Sequence, residues 1–297
     1  MPRCARETKS DAMYHIMVRS ISEVLLFKEN EDKETYLEVI SIAKKKYYFN
    51  IYSFCLMDNH AHFILDPLGS NISKIMHFIN SFYACYYNKK YHRIGPVFQG
   101  RFKSEIISSN QYFINASVYI HANPSDLSNY KNHIYDYPYS SLPDYINNTD
   151  RFGIINTSYL TKIFDLTQPD NYLNYISLCS SSTKDEIACL QFSFVPEKYQ
   201  YLSERHIILR TRAPKEIIEA TAKHLDISPN RLYAKRHIKY IEFRALCCYL
   251  MVRFCEIPHK VIAVILGNIT QSSISKLVTK GIDYIDAYPT LLNDLLL

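Results

Sequence analysis

The sequence predicts an α+β fold: an antiparallel sheet assembled in the order βαββαβ with helices, followed by a separate all-α domain. Three observations predict it. Short strand-like apolar runs alternate with long helical stretches over the first 107 residues. After about residue 203 the pattern is helical throughout. A chain of 297 residues with 47% hydrophobic side chains can also bury more than one core.

The elements follow in order. Residues 12–20 read as a strand, and 30–48 as a helix with Glu31 and Asp32 in its first turn and Lys44, Lys45 and Lys46 near its end, which matches the helix dipole. Residues 50–57 and 61–66 are two apolar runs parted by Asp58-Asn59, a pair suited to a tight turn, so they read as a hairpin. Asn71 opens a helix to about Tyr91, with Ile72, Ile75, Met76, Ile79 and Phe82 at helical spacing. Residues 97–107 resume strand character, which completes a split βαβ, ferredoxin-like order that by itself settles no function. A helix over 110–122 then stops at Asn123-Pro124.

Residues 125–200 have weak periodicity and read as a tail wrapped on the first domain plus a connector. Beyond them, Pro214 opens a helix to Leu225 and Ser228-Pro229 opens another. Residues 237–255 form a long apolar-faced helix, and 258–266 and 271–280 flank Gly267 as a helix-turn-helix candidate. The expected domains are 1–150, a connector 151–202, and a helical domain 203–297.

Charge is unevenly spread. Residues 1–150 carry 16 Lys and Arg against 15 Asp and Glu, and residues 198–297 carry 15 against 9, within a total of +5. That balance does not by itself demand nucleic acid, but the basic excess lies in the last third. Eight cysteines without a Cys-x-x-Cys pair read as reduced, buried thiols. Charges stand where a leader would need an apolar core, and Arg244 and Arg253 interrupt the most apolar late segment. A cytoplasmic protein with no membrane partner is expected.

Two constellations carry chemistry. His60-Ala61-His62 begins a strand, where residues two apart share a face, so both imidazoles can converge on one ion or phosphate. Tyr119 and Asn123 are four apart at the end of a helix, so a phenol and an amide oxygen can face the same point. Either pair alone is compatible with ordinary packing, and with 26 tyrosines in the chain only the combination makes Tyr119 a candidate. Around the fourth strand, Arg93, Arg101 and Lys103 form a basic cluster that could contact a phosphate backbone, while Phe98 and Phe102 fit the core better than base stacking.

Four blocks together resemble the IS200-like (HUH-type) transposase domain, on the branch of the REP-associated tyrosine transposases. They are Met57–Leu65, Arg93–Ser104, Tyr119–Pro124 and Tyr137–Leu142, within roughly residues 10–145. The resemblance implies that His60, His62 and Asn123 hold Mg²⁺ or Mn²⁺. It also implies that Tyr119 is the nucleophile of a DNA transposase or single-strand nickase, acting on single-stranded hairpin DNA through a 5′-phosphotyrosine intermediate. Tyr139 stands where relatives commonly have Trp. Family members work as monomers or homodimers, with the nucleophile helix docked in cis or from the partner.

The segment from about 205 resembles the DNA-binding domain of the replication initiator DnaA and Trp-repressor-like modules. It carries Asn268-Ile269-Thr270 where that family has Arg-Asp-His. This resemblance implies duplex DNA as a further partner, with Lys235, Arg236, Lys239 and Arg244 on the phosphate backbone and Gln271, Ser272 and Ser273 in a groove. The alternative function is a domesticated, catalytically silent DNA-binding regulator.

Overall fold

A computed structural model describes residues 9, 11–22, 24–181, 208, 210–234, 237–267 and 269–296. The chain divides into two compact units, Met1–Lys44 with Phe49–Arg205, and Lys45–Tyr48 with His206–Leu297. The first unit is built on β1 (Met13–Arg19), α1 (Asn30–Tyr47), β2 (Asn50–Leu56), β3 (His60–Asp66), α2 (Ile72–Lys90), β4 (Lys103–Ile107) and α3 (Asn110–Ala122). The four strands form one sheet in the order β2-β3-β1-β4, every pair antiparallel. This is the sheet expected from the βαββαβ order.

Local chemistry accounts for the elements. Asp32, in the first turn of α1, reaches back to accept from the backbone N–H groups of Lys28 and Glu29 at 2.9 and 3.1 Å. Asn71 caps α2, accepting from the N–H groups of Ser73 and Lys74, and Ser109 caps α3 through Tyr112 N–H. Phe63 of β3 packs against Tyr36 of α1, whose hydroxyl donates to Asn80 of α2, so one face of the sheet is covered by these two helices. His62 alternates with Phe63 and points to the other face, where α3 lies.

β4 begins at Lys103, not at residue 97. Gln99 N–H still donates to Arg19 C=O, and Ser20 bridges Phe98, but Gly100 has φ +112° and breaks the ladder before Lys103. Residues 125–181 are also more structured than weak periodicity indicates. They contain α4 (Leu142–Asn147), α5 (Ser158–Phe164) and α6 (Pro169–Ser181), while the connector beyond 181 lies outside the described residues. α4 and α5 are too short to show a period, whereas α6 buries Tyr175 and Cys179 at i, i+4. The tail does run along β2, with Ile155 bridging Ile51 and Ser140 bridging Cys55.

Among its described residues the second unit holds α7 (Pro214–His224), α8 (Ile238–Phe254), α9 (His259–Ile265), α10 (Gln271–Ile285) and α11 (Pro289–Leu296). A 3₁₀ turn, Pro229–Tyr233, stands where Ser228-Pro229 was expected to open a helix. α10 runs five residues past its expected end, through Gly281, and α11 was not foreseen. A Cβ on Gly281 would meet Ala245 O of α8 at 2.3 Å, so the missing side chain lets two backbones touch. Cys85 is exposed, against the expectation of buried thiols, while Cys55, Cys179, Cys247, Cys248 and Cys255 are buried and free. No helix among the described residues is long and apolar enough to cross a membrane.

Candidate active site

The register of the sheet assembles the site. Arg19 stands opposite His60 and Met17 opposite His62 across β1 and β3, while Lys103 and Glu105 of β4 stand opposite Met17 and His15. Directly opposed residues share a face, so Arg19, His15, Lys103 and Glu105 line the same surface as the two histidines. Above that surface α3 brings Tyr119 to within 5.3 Å of His62, ring centre to ring centre, at an interplanar angle of 84°. The rings of His60 and His62 are 5.1 Å apart. All these groups come from one chain.

The hydrogen bonds around the imidazoles orient them. The turn carrying His60 is pinned by Phe27 N–H to Asp58 C=O and Ser20 N–H to Asn59 C=O, and by an ion pair of Lys33 with Asp58 at 2.8 Å. His60 Nδ1 lies 2.6 Å from Asn59 Oδ1 and its Nε2 faces Asn123 Oδ1 at 3.4 Å; a proton on Nδ1 would leave the lone pair on Nε2. Asn123 is fully buried, and its amide nitrogen is committed to Tyr119 C=O at 2.8 Å and Ile120 C=O at 3.4 Å, so its oxygen must be the atom turned toward His60. In the tautomer with its proton on Nδ1, His60 and Asn123 face each other as two acceptors, which repel at that distance unless a proton or a cation lies between them.

Two imidazole nitrogens and an amide oxygen suit a hard or borderline divalent cation, and the facing acceptors give such an ion a place. Among the described residues no group of three or more His, Cys, Asp or Glu is disposed to hold a metal, so the fit depends on the Asn123 oxygen. His15, near as it is, does not complete such a group. Its Nε2 is instead 3.1 Å from His62 Nδ1, and its ring lies edge-on to Tyr119 at 5.9 Å. Burial lowers its pKa to about 4, against the raising effect of Glu105. The Tyr119 phenol is half-buried, and its pKa is raised by burial and then by the charge of Asp126.

His121 points away from the site and anchors α3. It is fully buried and bonded through Nδ1 to the Tyr175 hydroxyl and through Nε2 to Ser141 Oγ, both at 2.7 Å. Ser141 in turn accepts from Phe54 N–H of β2 at 2.9 Å. The turn of helix bearing Tyr119 and Asn123 is thus tied to the sheet and to α6. Tyr139, the residue in place of Trp, is buried and donates to Glu34.

The basic candidates fall differently. Arg101 and Lys103 are exposed and border a cleft with Met17, Arg19 and Phe98. Arg93 is half-buried, with Nη1 lacking a hydrogen-bond partner. Phe98 is half-buried and packs near Tyr83 at 6.2 Å, Phe102 is buried, and both line the same cleft. In the second unit Lys239, Gln271 and Ser272 are exposed and Arg244 is half-buried. Ser273 is engaged by the α10 cap, its hydroxyl 2.8 Å from Thr270 Oγ1. Lys235 and Arg236 lie outside the described residues.

Sequence reasoning missed His15, Arg19, Glu105 and Asp126. Alternation along β1 could have flagged the first two, since Tyr14, Ile16 and Val18 are buried together and leave His15 and Arg19 on the opposite face. Asp126 lies in the 3₁₀ turn Asn123–Asp126 that follows α3, beyond the point where the sequence stops the helix.

Residues 8–123 match the family described as "Transposase IS200 like". The matched stretch contains His60, His62, Tyr119 and Asn123 and ends at the last of them. No curated protein matches the chain. A solved structure of a REP-associated tyrosine transposase bound to a REP hairpin is similar at 16% identity and a TM-score of 0.43, covering 52% of this chain and 92% of that one.

Proposed function

We propose that the first unit is a DNA transposase or single-strand nickase that cuts and rejoins DNA through Tyr119. The observation that carries this reading is the convergence of His60 Nε2, Asn123 Oδ1 and the His62 ring beside the ring of Tyr119. The family match over residues 8–123 supports the same chemistry.

In this reading His60, His62 and Asn123 would hold Mg²⁺ or Mn²⁺, which would supply positive charge beside the phosphate and offset the raised pKa of the phenol. Tyr119 gives up its proton to solvent and its oxygen attacks the scissile phosphorus. A P–O bond to tyrosine forms, the bond to the 3′-oxygen breaks, and that oxygen leaves as a 3′-hydroxyl after taking up a proton. The phosphodiester energy stays in the 5′-phosphotyrosine bond, so rejoining by a 3′-hydroxyl needs no ATP. Arg101 and Lys103, with Arg19 beside them, would follow the backbone of a single strand or hairpin stem, and Arg93 would reach the same strand. The second unit would bind duplex DNA as a separate helix-turn-helix domain, with Lys239 and Arg244 on phosphates and Gln271 and Ser272 toward a groove.

The test is to incubate the protein with end-labelled single-stranded hairpin DNA and Mn²⁺. A covalent protein–DNA adduct is expected from the unaltered chain and none from Tyr119→Phe. Cleavage that survives Tyr119→Phe would make water the nucleophile. Duplex binding without any adduct would make the chain a silent regulator.

A further inference from the structure

Resting on the metal-site reading above, we infer that His15 is a positioning residue that selects the protonated nitrogen of His62 and so decides which of its nitrogens can face a cation. His15 sits one strand away on the same face, with Nε2 3.1 Å from His62 Nδ1. Two nitrogens at that distance share one proton. Either His62 Nδ1–H donates to His15 Nε2, or the reverse.

The surroundings decide between the two. A proton on His62 Nδ1 leaves the lone pair on Nε2, as a proton on the equivalent nitrogen of His60, beside Asn59 Oδ1, would do there. Both rings of the His-x-His pair then present the same atom, Nε2, as ligand. His15 must in that case carry its own proton on Nδ1, and β4 sets Glu105 opposite His15 on the same sheet face. Glu105 is itself held, accepting from the Tyr112 hydroxyl of α3 at 2.7 Å. The result is a row across three strands, Glu105, His15 and His62, ending at the site. Partners of this kind, which touch a ligand and not the metal, fix ring orientation and ligand basicity, and their loss weakens metal affinity about 10–100-fold.

The experiment uses the full chain labelled with ¹⁵N-histidine, His62 being assigned by difference with His62→Gln. In the metal-free protein at neutral pH, His62 is expected to show a protonated Nδ1 and an unprotonated Nε2. His15→Phe should abolish that preference and raise the Mn²⁺ dissociation constant about 10–100-fold. His15→Gln, which keeps an acceptor oxygen, should recover most of both, and its thermal melt guards against a misfolded Phe variant. The inference is overturned if unaltered His62 carries its proton on Nε2, or if His15→Phe leaves proton placement and Mn²⁺ affinity unchanged. A chain that binds no Mn²⁺ at all sinks the metal reading instead, while the metal-free spectrum still judges the His15 contact.

Discussion

At the scale of single residues, the site works by commitment of hydrogen bonds. Asn123 has only one way to face His60, because its amide nitrogen already serves two backbone carbonyls. Replacing His60 or His62 with Ala removes a nitrogen ligand but few phosphate contacts. Each variant is therefore expected to lose adduct formation in a gel assay while keeping hairpin affinity within about threefold, a change worth less than about 1 kcal/mol. Nicking retained by either variant would contradict the site. A second residue-scale prediction concerns Asp32, whose carboxylate is buried. Burial raises its pKa, but the hydroxyl of Tyr91, the ammonium of Lys90 and the backbone N–H groups of Glu29 and Lys28 outweigh that and hold it below the usual carboxylate value of 3.8. A folded-state pKa below the unfolded one gives stability that is present above about pH 4 and lost as pH falls through the folded value. Thermal melts of Asp32→Asn should accordingly show a lower Tm at pH 7, and a smaller loss between pH 4 and pH 2 than the unaltered chain. Parallel pH curves would rule this out.

At the scale of elements, two close contacts matter most. α3 is held from behind by His121, so its docking depends on α6 and on the Ser141 turn as much as on the sheet. These are segments whose sequence has little visible period. α10 presses on α8 through Gly281, and a methyl group there would collide with backbone and not with the flexible end of a side chain. Gly281→Ala is expected to destabilise the second unit by about 1–3 kcal/mol, even though alanine is the better helix former. Chemical denaturation followed by circular dichroism would measure it, and a stabilised variant would mean that the helices part at no cost. Gly267, at φ +85°, follows the end of α9, and Thr270 caps α10.

At the scale of the whole molecule, the basic excess belongs to the last hundred residues, while the candidate chemistry lies in the first unit. If the second unit binds duplex phosphates, affinity should fall steeply with salt. Lys239→Ala should weaken duplex binding about equally for all sequences and flatten the plot of log affinity against log salt by about 0.9. An unchanged slope would take Lys239 off the backbone and leave it a solvated surface charge. The same variant should leave adduct formation on a single-stranded hairpin as it is.

The sequence by itself determined the order of elements and the antiparallel sheet, and set His60 with His62 and Tyr119 with Asn123, because strand and helix periods are local and place side chains on faces; the two pairs were joined into one candidate site through the family resemblance. It also located the turn at Asp58-Asn59 and the stop at Asn123-Pro124, where short-range backbone chemistry decides. Tertiary structure decided what stands behind them. His15 meets His62 only because β1 pairs with β3 in one register, and a slip of one residue would turn His15 to the far side of the sheet. Likewise His121 finds Tyr175 and Ser141 across 54 and 20 residues of chain. Such partners are chosen by packing between elements, a non-local free energy that no single stretch of residues records.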